Sequence, residues 1–233
     1  MSSKVFTIAV SMVLALAVGA TTTQAALITY DFQAATNPLA PSTVDENLTA
    51  TAMTPGSGLS TFTVTTGGYP TDPYLKGAPA GGVSTFSWDG VTYRSTGQAL
   101  ANDYVFTFTV TPKPGAEMSL TELSFLAAGG GTSEPPRSVS VFHEGTKLLH
   151  ENVGTGSDNT RPNMVPMTID LSGYSQFQTV STPVTFVFGV SSDGSSKSIE
   201  YDNVVLSGVA VPEPASMALV GLGAVLVARR RRH

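Results

Sequence analysis

Two His-Glu pairs, His143-Glu144 and His150-Glu151, are the residues in this 233-residue chain that most resemble a metal or acid–base site. They do not form the His-Glu-x-x-His pattern of zinc proteases, because the position three residues after Glu144 is Lys147. That pattern also requires a helix, whereas the surrounding residues favour a β-hairpin.

The expected hairpin keeps the two histidines apart. A two-residue turn at Glu144-Gly145 would pair Val139 with His150 and would place His143 and His150 on one face. They would then lie about 13 Å apart along the strands, which is too far to ligate one metal ion. The sequence therefore favours polar residues at strand ends.

Trp88 is the single tryptophan, and it precedes a predicted Asp89-Gly90 turn that leads to Tyr93. An exposed tryptophan can stack on a sugar ring, and Tyr93 or the nearby Tyr69 and Tyr74 could join it. Such rings more often pack in the core or across a hairpin. Both interpretations stay open, with Trp88 and Tyr93 as the candidate ligand-binding residues.

Sequence patterns of known catalytic sites are missing. We find no nucleophile elbow, phosphate loop or dinucleotide fingerprint. Two carboxylate pairs, Glu144 with Glu151 and Asp170 with Glu200, would suit glycoside hydrolysis only at separations of about 5 or 6.5–9.5 Å. Sequence alone cannot establish these separations, and we expect a protein that is not an enzyme.

Composition excludes further classes. Cysteine is absent, so disulfides, thiol catalysis and cysteine-ligated metals are excluded. The chain has 12 Lys and Arg against 17 Asp and Glu, a balance that argues against nucleic-acid binding. Five of the basic residues and one acidic residue lie in the two ends, so the body between them carries a net charge of about −9.

The first 25 residues are typical of a secretory signal peptide. Lys4 precedes an apolar run over residues 5–20, and small residues stand before Ala25. We expect export through the Sec translocon and cleavage after Ala25.

The C-terminus has three parts in a fixed order. Pro212, Glu213 and Pro214 precede an apolar stretch over residues 215–228. As a helix this stretch would span about 21 Å, which is short of a hydrocarbon core of about 30 Å. The arginines that follow oppose translocation and would keep this end cytoplasmic; they are Arg229, Arg230, Arg231 and Arg232.

This order resembles the PEP-CTERM protein-sorting signal of bacteria. The resemblance implies recognition by an exosortase, a membrane-embedded protease, after transient anchoring in the inner membrane. It further implies delivery to the cell envelope or to the extracellular matrix and its exopolysaccharide. We expect a signal peptide over 1–25, a folded domain over 26–210 and the sorting signal over 211–233.

The body is predicted to be all-β, an antiparallel β-sandwich or jelly roll, flanked by a signal-peptide helix and a short C-terminal transmembrane helix. Apolar and polar residues alternate over 104–111 and 184–190, and no amphipathic helix is found. Nine further strands are expected, and long loops are expected over 36–58 and 68–82; these strands are 27–33, 60–66, 83–88, 91–95, 119–126, 138–143, 146–151, 165–171 and 198–207.

The strand sequences also resemble surface β-sandwiches and lectin-like jelly rolls. The resemblance rests on alternating segments such as Tyr104–Thr109 and on the ending Tyr201-Asp202-Asn203-Val204. It implies a possible structural calcium ion between Asp31 in the first strand and Asp202 in the last, which would need six to eight oxygen ligands. The alternative is that both aspartates are outward polar positions or caps, and carbohydrate binding is the second functional hypothesis.

Overall fold

The structure is a computed structural model that describes residues 25–65, 73–89, 91–130, 137–153, 164–192, 194 and 197–212. The expected signal peptide before Ala25 and the expected tail helix after Pro212 lie outside these residues, as do Tyr69 and Gly90. Among the described residues, no helix is long and apolar enough to cross a membrane.

The described residues form antiparallel β-strands with one short α-helix, α1 (Thr96–Ala101), and one turn of 3-10 helix (Ser175–Phe177). Numbered along the chain, the strands are β1 (Ala25–Tyr30), β2 (Thr43–Val44), β3 (Leu48–Ala50), β4 (Thr54–Pro55), β5 (Leu59–Thr65), β6 (Tyr74–Pro79), β7 (Thr85–Trp88), β8 (Val91–Arg94), β9 (Val105–Pro112), β10 (Ala116–Gly130), β11 (Arg137–His143), β12 (Thr146–Val153), β13 (Val165–Asp170), β14 (Val184–Ser191) and β15 (Ser198–Pro212).

Two large sheets face each other. The first has the strand order β13-β10-β15-β1-β2, with β6 also paired to β15 and β5 paired to β6. The second has the order β12-β11-β14-β9-β3, with β4 also paired to β9. The strands β7 and β8 form a separate hairpin. The predicted antiparallel all-β sandwich is therefore confirmed.

Alternation along the strands fills the space between the sheets. In β9, Phe106 and Phe108 are buried while the threonines beside them are half-buried. Phe186 of β14 pairs directly with Phe108, and Phe188 pairs with Phe106. Tyr30 of the first sheet reaches Phe108 with a ring-centroid distance of 5.1 Å, so aromatic contacts join the two sheets.

Several short elements were not predicted. The expected loop over 36–58 contains β2, β3 and β4, and the loop over 68–82 contains β6. The strands β2, β3 and β4 have only two or three residues each, which is too short to show alternation, whereas β6 contains Gly77 and ends at Pro79, two residues that are uncommon in strands. The helix α1 was also missed; it begins where the Ser95 hydroxyl accepts a hydrogen bond from the Gln98 amide at 3.3 Å.

A β-bulge interrupts the pairing of β11 with β12. Val141 and Phe142 are consecutive in β11, but their partners in β12, Leu149 and Lys147, are separated by Leu148. Leu148 is therefore the extra residue of the bulge.

The bulge places the two histidines on opposite faces of the second sheet. His150 pairs with Ser140 and not, as predicted, with Val139. His143 remains on the core side, where its ring lies 4.9 Å from that of Phe177. The prediction that His143 and His150 share a face is wrong, because a shift of one residue turns a side chain to the other side of a sheet.

The last strand is long and central. β15 pairs with β1 on one side and with β10 on the other, and its pairing with β10 continues to Pro212 opposite Ala116. Close packing of the strands requires a glycine at 208, where a Cβ atom would overlap the carbonyl oxygen of Ser119. β1 begins at Ala25, next to the predicted cleavage point, and Ala25 pairs with Gly208, so it lies towards the same end of β15 as Pro212.

Candidate functional site

The β7–β8 hairpin is attached to the outer face of the second sheet by polar contacts. The Asn152 amide of β12 donates a hydrogen bond to the Thr92 carbonyl at 2.9 Å. The Ser138 hydroxyl of β11 accepts one from the Arg94 amide at 3.0 Å and donates one to Asn152 at 2.8 Å. These contacts hold the base of the hairpin and leave its tip exposed.

The sequence predicted the turn of this hairpin. Trp88 pairs with Val91, which leaves two residues for the turn, and Asp89 has a φ of 50°. A positive φ at this position is typical of the type I′ turn that Asp-Gly favours. The tight turn presents Trp88 at the tip.

Side chains of the hairpin and of β12 form an open depression of about 410 Å³, which we name the aromatic cleft. Its lining consists of Phe86, Trp88, Tyr93, Lys147 and His150. The rings of Phe86 and Tyr93 stack with centroids 5.8 Å apart and planes inclined by 24°. The His150 ring lies 5.0 Å from that of Tyr93.

The aromatic cleft exposes unusually large apolar side chains. Trp88 is 72% exposed and Phe86 is 43% exposed, so Trp88 does not pack in the core. Both predicted ligand-binding residues, Trp88 and Tyr93, lie at the cleft, whereas Tyr74 is buried elsewhere. Ligand binding by these residues stays a prediction.

Three residues of the aromatic cleft were missed from the sequence: Phe86, Lys147 and His150. Phe86 pairs with Tyr93 across the hairpin, and this cross-strand pairing was available from the turn position. His150 reaches the cleft because of the bulge at Leu148, which the adjacent apolar residues Leu148 and Leu149 could have indicated.

His150 is a neutral polar element of the aromatic cleft. Burial lowers its pKa below the ordinary value of 6.5, and the nearby charge of Lys147 lowers it further. A hydrogen bond with the Arg94 backbone opposes part of this shift. The imidazole is therefore uncharged at pH 7.

The two aspartates proposed for calcium lie near the same end of the β1–β15 pair, but each has local partners. Asp31 follows β1 and accepts a hydrogen bond from the Gln33 amide at 3.1 Å. Asp202 is 7% exposed and accepts one from the Asn203 amide at 2.7 Å. No group of three or more His, Cys, Asp or Glu side chains in the described parts of the chain is placed to hold a metal ion. Two carboxylates fall short of the six to eight oxygens of a calcium site, and calcium binding stays a prediction.

Neither carboxylate pair considered for hydrolysis comes together. Glu151 pairs with Val139, five residues before Glu144, so the two glutamates lie about 16 Å apart along the hairpin. Asp170 pairs with Glu122 of β10 and Glu200 pairs with Ala128, which separates them by about 20 Å. Both distances exceed those that glycoside hydrolysis uses.

The fold and the site together define a β-sandwich that carries an exposed aromatic cleft on the outer face of one sheet. Residues 210–232 match the family model of the PEP-CTERM protein-sorting motif. The predicted sorting signal is thereby confirmed, and it marks the chain as an exported, envelope-directed protein.

Comparison with whole proteins adds little. No curated protein matches the chain. A family 11 carbohydrate-binding module from Clostridium thermocellum, in complex with a β-1,3-1,4-mixed-linked tetrasaccharide, is 10% identical with a TM-score of 0.35, over 78% of this chain and 96% of its own. A structure described as CBM4 is 15% identical with a TM-score of 0.35, over 65% and 77%. The Stig cyclase Fisc from Fischerella sp. TAU is 14% identical with a TM-score of 0.33, over 80% and 85%. Similarity at this level carries no argument about function.

Proposed function

We propose that this protein is a non-enzymatic, polysaccharide-binding component of the cell surface or extracellular matrix, sorted by an exosortase. Export through the Sec translocon would be followed by transient anchoring of the apolar stretch in the inner membrane. The sorting motif at residues 210–232 supports the delivery part of this proposal. The folded domain, with a net charge near −9, suits a soluble surface module.

The observation that carries the binding part is the exposure of Trp88 in the aromatic cleft. Burying a tryptophan removes about 150–250 Å² from water, which is worth several kcal/mol at about 25 cal/mol per Å². This stabilisation is not realised in the free protein, and it becomes available when a ligand covers Trp88 and the stacked rings of Phe86 and Tyr93 beside it. A pyranose presents one face of C–H groups and a rim of hydroxyls, which matches aromatic rings flanked by polar groups.

The attachment to the sheet makes the aromatic cleft a preformed site. The hydrogen bonds from Asn152 and Ser138 fix the hairpin, and the contact between Tyr93 and His150 fixes the rings relative to β12. A preformed aromatic surface loses little conformational entropy when a polymer binds.

Deletion of the exosortase is expected to prevent processing of the tail. In cells with the enzyme, intact mass spectrometry should find a protein without its C-terminal arginines, released from the membrane fraction. In cells without it, the tail should be complete and the protein should remain in the membrane fraction, because the apolar stretch and arginines hold it there. The same spectra should show Ala26 or Leu27 as the first residue in both strains.

A complete tail in both strains would contradict exosortase sorting and would indicate a simple membrane anchor. Retention of Met1 on the exported protein would contradict the signal peptide. An unrelated envelope protein without a Pro-Glu-Pro tail serves as the fractionation control.

Substitution of Trp88 by alanine is expected to weaken binding to polysaccharides at least tenfold, because central aromatic residues carry most of the energy at such sites. The full-length chain in a mild detergent would be tested against a panel of soluble polysaccharides by affinity electrophoresis. Trp88 is the single tryptophan, so quenching of its fluorescence would report occupancy of the aromatic cleft directly.

Phe62→Ala is the matched control for this experiment. Phe62 is 49% exposed on β5 of the other sheet, so its loss removes a similar exposed ring far from the aromatic cleft. Equal losses for Trp88→Ala and Phe62→Ala, or a panel without any binding, would overturn the binding proposal.

A further inference from the structure

Among the described residues that line the aromatic cleft, Lys147 is the only one with an acidic or basic side chain other than His150. It lies at the start of β12, and its side chain is exposed. The other lining residues are three aromatic rings and His150, which is neutral at this pH. The charge in the cleft is therefore a single ammonium group beside aromatic surface.

The Lys147 ammonium has no acidic partner within the described parts of the chain. The ion pairs described there join other residues, such as Lys76 with Glu200 at 3.9 Å. The Glu144 carboxylate lies 3.9 Å from the imidazole of the adjacent residue His143, and it forms no ion pair with Lys147. An exposed, unpaired cation at the rim of an aromatic depression is free to meet an anionic group of a ligand.

The net negative charge of the body restricts the attraction of Lys147 for anionic polymers to short distances. The body carries a net charge near −9, so the protein as a whole repels a polyanion. At physiological ionic strength that repulsion is screened over about 8 Å, whereas a direct contact with Lys147 is screened much less. Binding of an anionic polymer would therefore depend on the local contact.

Resting on the polysaccharide binding proposed above, we infer that the aromatic cleft selects carboxylated polysaccharides, in which Lys147 pairs with the carboxylate of a uronic acid unit. In such a unit the carboxylate is bonded directly to the sugar ring. The ring can then lie against Trp88 while the carboxylate reaches a cation in the same depression of about 410 Å³. A lysine suits this role as a compact charge with three donors.

The test compares each acidic polymer with its own carboxyl-reduced form, which keeps the backbone and removes the charge. Polygalacturonate, alginate and hyaluronan would be used in affinity electrophoresis with the full-length chain. We expect the acidic forms to bind about three- to tenfold more tightly, as for a partly exposed charge-assisted hydrogen bond. Lys147→Met should remove this preference, since methionine keeps much of the apolar stem.

Lys113→Met is the matched control. Lys113 is exposed and donates a hydrogen bond to the Glu46 carbonyl at 2.7 Å, at the start of the β9–β10 connection and away from the aromatic cleft. Its substitution makes the same change in net charge, and it should leave the preference for acidic polymers intact.

The outcomes separate this inference from the proposed function. Equal binding of acidic and reduced polymers, or a preference that survives Lys147→Met, overturns the inference while Trp88-dependent binding stands. Loss of preference with both Lys147→Met and Lys113→Met also overturns it, because net charge would then explain the effect. Absence of binding to all six polymers overturns the inference, and the wider panel with Trp88→Ala then decides the proposed function.

Discussion

Replacement of Phe108 by alanine is expected to lower the free energy of unfolding by about 3–5 kcal/mol, the range found for buried phenylalanines. Phe108 is 1% exposed and lies where the two sheets meet. The centroid of its ring lies 5.1 Å from that of Tyr30 in the first sheet and 5.3 Å from that of Phe186 in its own sheet. Truncation removes these contacts and leaves a cavity that rigid strands cannot close.

Chemical denaturation followed by circular dichroism would measure this loss, because Trp88 is already exposed in the folded protein and reports unfolding poorly. Phe62→Ala is again the control, since a surface ring on β5 should change stability by only about 0.5 kcal/mol. Similar losses for the two variants would mean that the core does not depend on the contact between sheets at Phe108.

Substitution of Gly208 by alanine is expected to destabilise the fold by about 1–3 kcal/mol or more, the range for added atoms in a packed interior. The new Cβ would overlap the Ser119 carbonyl oxygen and lie 3.0 Å from the Cα of Leu120. Both neighbours are backbone atoms of β10, so they cannot move aside as a side chain could. β15 is also held by β1 on its other edge, which limits a shift in that direction.

Gly97→Ala provides a control of opposite sign. Gly97 lies in α1, and a Cβ there meets no atom within 4 Å. Alanine in place of glycine inside a helix should stabilise the protein by about 0.5–1 kcal/mol. Equal and small effects of the two substitutions on the denaturation midpoint would contradict the close approach of β15 and β10.

The sandwich could be predicted because apolar and polar residues alternate along its long strands. β9 and β14 show four apolar residues each on one face, and burial of that face requires a second sheet. The short strands β2 and β4 leave no such signal, since they are held by pairing with longer neighbours. The composition of these segments therefore predicts a loop, although in the folded protein each segment pairs with a longer strand.

Only some residues of the aromatic cleft could be predicted from the sequence. Trp88 and Tyr93 follow from the Asp89-Gly90 turn, whereas His150 depends on the extra residue Leu148 in the neighbouring strand. A one-residue change in register reverses the side on which every later side chain lies. The sorting signal was predictable from sequence because its three parts follow one another in a fixed order along the chain.

The continuation of β15 to Pro212 has a further consequence for the proposed anchoring and processing. The chain stays in the sheet up to the first residue of Pro-Glu-Pro, and the apolar stretch begins at Ala215. Three peptide steps reach at most about 11 Å, little more than a layer of lipid headgroups. If the apolar stretch is anchored in the inner membrane as proposed above, the sandwich would be held close to the membrane surface at the end where β10 begins. The proposed exosortase would then meet a cleavage region that directly follows the pairing of Pro212 with Ala116, and we expect the rate of release to depend on how readily this pairing opens.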